Sequence, residues 1–266
     1  MSISFLRNNM NFKTLELIKN DKVATIKLNR PDKLNAFNED LIWELQKATS
    51  EVKDDEAIRV LIITGAGRGF SAGADLTESE SSWEGSKDAL TRGFKPFFEN
   101  IITMPKPVIA SITGPAAGIG AALAMSCDLR VMSDKGYILS VFSNIALVPD
   151  GGLSWFLPKF MGYAKAYEYA IEAKKITANE CLHFGMVNKV VAEEELEDKT
   201  MEWALKLAKR SSQSLMHTKT LMRESLSVGY WDTFASEAEI QNNLTRSPQN
   251  YEAVSAFFEK REPNFD

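Results

Sequence analysis

Asp150 lies in the stretch Leu147-Val148-Pro149-Asp150-Gly151-Gly152, with Phe142, Trp155 and Phe156 close by in the chain. A carboxyl in such apolar company has its pKa raised and can take up and return a proton near neutral pH. Pro-Asp-Gly-Gly is also an ordinary turn sequence, in which Asp holds the backbone by hydrogen bonding. Composition alone favours the turn. Two glycine-rich stretches, residues 65–76 (GAGRGFSAGADL) and 114–122 (GPAAGIGAA), each follow an apolar run. Glycine and alanine let a ligand approach the backbone, and free N–H groups at a helix start bind negative charge. Neither stretch is a dinucleotide fingerprint, because Phe70 and Leu123 stand where the third glycine belongs, and no Walker lysine follows. Either stretch alone reads as a tight turn or a close-packed helix start. Two such starts aimed at one oxygen would form an oxyanion hole.

Other reactive side chains are few. Cys127 and Cys181 have no neighbouring Cys or His and read as reduced thiols. His183 and His217 are isolated, which argues against a zinc site and against a Ser-His or Cys-His nucleophile.

The elements that must position these residues follow from the apolar pattern. Residues 23–28 alternate as a strand, and 58–64 and 107–113 are continuous apolar runs expected as buried strands. Shorter strands are expected at 129–132 and 137–142. Asn38 can cap a helix carrying Leu41, Ile42, Leu45 and Ala48 at helical spacing. Residues 76–95 are polar and irregular and are expected to be a mobile flap. From residue 163 the pattern is mostly helical, with a long amphipathic helix over 194–211. The chain therefore reads as an α/β domain with a helical C-terminal segment. Residues 1–9 read as a loose leader ahead of a start at Met10.

A chain of 266 residues, 44% apolar and 25% charged, is long enough for a full core. With 31 basic and 36 acidic residues it carries a net charge of −5, which speaks against nucleic acid as a partner. No apolar run is long enough to span a bilayer, so a soluble, cytoplasmic protein is expected.

Four motifs in order, LNRPDKLNAFN (28–38), GRGFSAGADL (67–76), KPVIASITGPAAGIGAALAMSCDLRV (106–131) and AFFEKREPNF (256–265), resemble the enoyl-CoA hydratase/isomerase (crotonase) family. The resemblance implies a crotonase-like spiral of repeated strand-strand-helix turns over 10–200. It further implies a helical trimerisation region over 201–266 and a homotrimer or dimer of trimers. The substrate would be an acyl-CoA, with no metal or separate organic cofactor. The thioester carbonyl would sit between the N–H groups of Ala74 and Ile119, the second of which is usually glycine in the family. Lys33 and Leu34 would meet the CoA nucleotide, Ser71, Ala72, Asp75 and Leu76 would line its path, and Phe142 would border the acyl group. Phe257 and Lys260 would reach the nucleotide, often of a neighbouring subunit. Without the resemblance, Lys33 and Lys260 read as solvated lysines and Asp75 as a helix cap.

The resemblance also bears on the acid. Hydratases of the family carry two glutamates, at positions that are Ala122 and Phe142 here. Asp150 falls where isomerases of the family carry a single acid, in a Pro-Asp context like that of the ring-epoxide phenylacetyl-CoA isomerases. The expected activity is transfer of a double bond from the beta-gamma to the alpha-beta position, on a fatty or aromatic-derived acyl group, with Asp150 as proton shuttle. Alternatives are a hydratase-like enzyme, a dehalogenase-like enzyme with Asp150 as nucleophile, which would also need a histidine base, and a non-catalytic acyl-CoA-binding protein.

Overall fold

The computed structural model describes residues 12–78 and 81–265. The expected leader at 1–9 and start at Met10 lie outside the described residues. A hairpin of β1 (Leu15–Asn20) and β2 (Val23–Leu28) opens the chain, with Asp21 in the left-handed region at its turn. β2 then pairs in parallel with β3 (Val60–Gly65), β3 with β4 (Val108–Ile112), β4 with β6 (Leu129–Ser133) and β6 with β9 (Lys189–Val191), giving the order β1-β2-β3-β4-β6-β9. A second sheet holds β5 (Pro115–Ala117), β7 (Tyr137–Leu139) and β8 (Lys175–Thr177). β4 and β5 lead into helix α4 (Ile119–Ser126), and β6 and β7 lead towards α5 (Leu153–Ile171). These are repeated strand-strand-helix turns of the kind that the resemblance implies.

β3 and β4 are buried almost throughout, as their unbroken apolar runs require. One face of the main sheet joins α1 (Glu39–Asp54), α3 (Lys95–Thr103) and α4 in a large core around Phe97, Ile101, Ile63 and Leu123. The other face, with Val60, Ile62, Ile109 and Val131, is covered by Leu196, Ala204 and Ala208 of α7 (Leu196–Ala208). Residues 201–208 thus pack with the sheet, and the outlying helices begin with α8 (Ser212–Glu224), followed by α9 (Tyr230–Leu244) and α10 (Pro248–Glu259). The short α6 (Ala178–His183) opens with a capping box between Thr177 and Glu180. No helix among the described residues is long and apolar enough to cross a membrane.

The structure departs from the sequence expectation at two places near the site. The strand expected over 137–142 stops at Leu139, and Phe142–Ile145 form a 3-10 turn that ends on Ala146 in the left-handed region. Residues 82–94 of the segment expected as a polar flap are docked on α1. After α2 (Ser86–Asp88) the segment forms a π-helical stretch, Ala89–Phe94, that runs into α3. Its few apolar residues decide this. Trp83 packs on Trp43 of α1 at 5.2 Å and lies under the Arg92 guanidinium. The Ser82 N–H donates to Glu39 Oε2 at 2.8 Å, and Gln46 Nε2 reaches the Gly93 carbonyl at 2.7 Å.

α8 is held to the core by charge. Asp128 receives Lys219 Nζ at 2.8 Å, Arg223 Nη2 at 2.6 Å and the Val108 N–H at 2.9 Å. Lys219 Nζ also donates to the Ile101 carbonyl at 2.9 Å, and burial pushes its pKa down despite Asp128. Both cysteines are buried, and loss of hydration raises each thiol to about 12. Neither should react with a thiol reagent in the native protein at pH 8, and both should react at once in denaturant. Colorimetric titration with and without guanidinium checks this.

Candidate active site

The two glycine-rich stretches run side by side. Ser71 pairs with Ala116 as an isolated parallel bridge: the Ser71 N–H donates to the Pro115 carbonyl at 3.0 Å, and the Ala117 N–H to the Ser71 carbonyl at 2.8 Å. Two residues on, Gly73 meets Gly118. A Cβ on Gly73 would lie 3.0 Å from the Ala117 carbonyl oxygen and 3.5 Å from Gly118 Cα, and both glycines have positive φ. Only glycine permits this approach. Ala74 and Ile119 are the residues that follow these two glycines.

The backbone around each of these residues frees its N–H. Ala74 bridges to Phe37, but the bonds are made by its neighbours: the Phe37 N–H donates to the Gly73 carbonyl and the Asp75 N–H to the Phe37 carbonyl. In that pattern the Ala74 N–H faces away from Phe37. Ile119 is the first residue of α4, so its N–H has no partner within the helix. Among the described residues no protein acceptor takes either group. Ala74 is exposed and Ile119 is 3% exposed. Two free backbone donors that meet at one oxygen, one of them at a helix N-terminus, would hold a developing oxyanion.

Asn35 supports this arrangement, and its role was hidden in the sequence, where it read only as loop chemistry. It is fully buried in the left-handed region. Its Nδ2 donates to the Ala66 and Gly69 carbonyls at 2.9 and 2.8 Å, its Oδ1 accepts the Arg30 N–H, and its carbonyl accepts the Ser71 hydroxyl at 2.8 Å. Asn35→Ala would strip three polar groups of partners and place alanine at positive φ. A loss of about 3 kcal/mol is expected, read as a lower urea midpoint.

Asp150 lies two residues before the Gly152 cap of α5. Its carbonyl accepts the Leu153 N–H at 2.9 Å, so the turn chemistry is carried by the backbone. The side chain makes no turn bond: Oδ1 is buried without a hydrogen-bond partner. Desolvation raises its pKa from 3.8 to about 6. The next residue of the turn packs on distant segments. A Cβ on Gly151 would lie 2.5 Å from Ile119 Cδ1, 2.7 Å from Ala122 Cβ and 3.3 Å from Phe98 Cζ. The Asp150–Gly151 turn thus rests on the first turn of α4, the helix that carries the Ile119 N–H. Phe142 is buried, and its ring passes close to Gly118. Ala122 and Phe142 thus put hydrocarbon beside Gly151 and Gly118.

The remaining candidates fall into two groups. Leu34, Ser71, Ala72, Asp75 and Leu76 gather around the paired stretches, with the Ala72 N–H donating to the Leu34 carbonyl at 2.9 Å. Lys33 is exposed on the neighbouring 3-10 turn Pro31–Lys33, and Leu76 is 72% exposed. Asp75 is bound to Thr77 Oγ1 at 2.6 Å and Arg30 Nη2 at 2.8 Å, and these hold its carboxyl down at about 2. It is a permanent anion that fixes the loop, not a proton carrier. Phe257 and Lys260 lie elsewhere, exposed on α10 and at its left-handed end. Among the described residues of one chain, no hydrogen bond, ion pair or ring contact joins them to the first group. No cluster of three or more His, Cys, Asp or Glu that could hold a metal ion stands among the described residues.

Known proteins resemble this chain in sequence and fold. The profile of the enoyl-CoA hydratase/isomerase family matches residues 18–266. The 1,2-epoxyphenylacetyl-CoA isomerase of Escherichia coli K12 is 33% identical over 251 residues, covering 91% of this chain and 94% of that protein. Crotonyl-CoA hydratase of Syntrophomonas wolfei is 32% identical over 259 residues, covering 96% and 99%. The crystal structure of an enoyl-CoA hydratase from Bacillus anthracis superposes with a TM-score of 0.90 at 28% identity, over 96% of this chain and all of that one. Relatives thus bear both isomerase and hydratase names. The paired glycine-rich stretches, the fold around them and the family profile agree, and the chain belongs to the enoyl-CoA hydratase/isomerase family.

Proposed function

We propose that this protein is an acyl-CoA isomerase that converts a 3-enoyl thioester to the 2-enoyl isomer. One observation carries the reading: Asp150 is a desolvated carboxyl with a buried, unpartnered oxygen. By the family resemblance, Ala122 and Phe142 stand where hydratases carry their two glutamates. The Asp150 carboxylate takes a proton from carbon 2. The electron pair spreads through the dienolate to the thioester oxygen, which accepts the Ala74 and Ile119 N–H groups. Asp150 returns the proton to carbon 4, leaving the double bond between carbons 2 and 3. One carboxyl serves both steps, whereas adding water needs one group to activate it and another to protonate carbon 2.

The test is NMR of the purified protein with 3-enoyl-CoA substrates carrying short, long and aromatic acyl groups. Conversion to the 2-enoyl-CoA supports the reading. No conversion and no proton exchange with any of them overturns it. Since Asp150 must begin ionised, kcat/KM should rise with pH through about 6 and then level off. A pH profile of initial rates checks the midpoint.

Assembly into trimers belongs to the same proposal. Supporting it are the large side chains that α9 and α10 leave exposed in a single chain, including Trp231, Phe234, Phe257 and Phe258. A neighbouring copy would bring Phe257 and Lys260 to the nucleotide that Lys33 and Leu34 meet.

A further inference from the structure

The contact between Ile119 and the Asp150–Gly151 turn has a consequence for the path of the proton. Ile119 serves the site twice. Its N–H is one of the two free donors, and its side chain, 3% exposed, presses its Cδ1 against Gly151. Ala122 and Phe98 complete the wall, so the acid's backbone rests on hydrocarbon. Gly151 itself has φ +59, and a Cβ there would overlap both Ile119 and Ala122. The turn and the isoleucine therefore interlock, and no polar side chain takes the buried Asp150 oxygen. Asp150 is half-buried, and a substrate reaching its carboxyl would cover the open side. Removing the end of Ile119 would open space behind the turn, on the side that the substrate does not cover.

We propose that the Ile119 side chain is a positioning residue that shuts water out from beside Asp150, so that the proton taken from carbon 2 is the one delivered to carbon 4. This rests on the isomerase reading and extends it from the reaction to the fate of the transferred hydrogen. While the dienolate exists, Asp150 is a neutral acid carrying that proton. If water reaches the acid, the proton exchanges before it is returned, and solvent hydrogen appears at carbon 4. If water is excluded, transfer stays internal. A residue that only filled core volume would change turnover or melting without changing the ratio of exchange to conversion.

The experiment compares wild type, Ile119→Val and Ile119→Ala with a 3-enoyl-CoA in heavy water, by NMR and mass spectrometry of the product at low conversion. The quantity read is deuterium at carbon 4 per product molecule. Wild type should place deuterium in roughly one product in ten or fewer, Ile119→Ala in about half or more, and Ile119→Val between them, as water gains access to the acid. Ile119→Val removes a single methylene and keeps the measurement sound if Ile119→Ala folds poorly. Equal deuterium in all three proteins overturns the proposal, as does full exchange in wild type. Loss of turnover in both variants with unchanged melting overturns it too, since that would assign Ile119 to holding the oxyanion alone. No product from wild type overturns the isomerase reading and takes this inference with it. Product with equal exchange leaves that reading standing.

Discussion

Asp150→Asn should lower isomerase turnover by about a thousandfold or more while leaving acyl-CoA affinity nearly unchanged, and should make the folded protein more stable at pH 7. The amide keeps the shape of the carboxyl but cannot accept and return a proton. The stability change has a definite sign. The carboxyl titrates at about 6 in the fold and at 3.8 when unhindered, so between these pH values the native state binds more protons than the unfolded chain. Stability of the wild type therefore falls as pH rises through this window. In a sealed site the full span would amount to about 3 kcal/mol. Asp150 is partly open to water, so a gain of about 1–2 kcal/mol is expected for the variant. The gain should be present at pH 7–8 and absent at pH 4, where the wild-type carboxyl is already neutral. Urea titrations at the two pH values check it, alongside kcat and binding of a saturated acyl-CoA. Equal turnover in variant and wild type would remove Asp150 from the mechanism.

The largest loss of stability is expected from Asp128→Ala, far from the reacting atoms. Asp128 neutralises Lys219 and Arg223 and accepts the Val108 N–H at the start of β4. Its removal leaves Lys219, whose side chain is 8% exposed, as a buried charge facing only carbonyls. Breaking one side of such a group costs about 3–5 kcal/mol, because the remaining cation stays desolvated. The cost should shrink when Lys219→Met is added, since the unpaired charge is then gone. Chemical denaturation of the two single variants and the double variant gives the coupling directly. A mild effect of Asp128→Ala alone would mean that α8 is held by its apolar contacts instead.

Much of this architecture was legible where an element is long enough to show its period. The alternation at 23–28, the unbroken runs of β3 and β4, and the Asn38 cap of α1, whose side chain accepts the Leu41 N–H at 3.1 Å, all repeat the residue pattern. β5, β8 and β9 have three residues each and cannot display a period at all. They exist because neighbouring strands hold them. Trp83 docked a segment whose polar composition pointed to a flap. At the site, the glycine stretches and Asp150 drew attention by type, but their meaning came from contacts distant in sequence. The turn that carries Asp150 packs on Ile119, Ala122 and Phe98, none of which is near it in the chain. Asn35 gave no sequence signal beyond being a loop asparagine, since its partners at Ala66, Gly69 and Ser71 are fixed only by the fold.

The last strand of the main sheet sets a schedule for biosynthesis. β9 pairs Lys189 with Val131 and Val191 with Ser133, so β6 waits for a segment made much later in translation. Until then the growing chain presents a bare parallel edge, Leu129–Ser133, the kind of surface that invites pairing with another nascent chain. The hairpin of β1 and β2 closes early and locally, but every later strand joins across a long intervening stretch, which slows folding. Chains released before Lys189 should therefore be the aggregation-prone products of expression, and a ribosome-associated chaperone is most needed in the interval between the emergence of Ser133 and that of Val191.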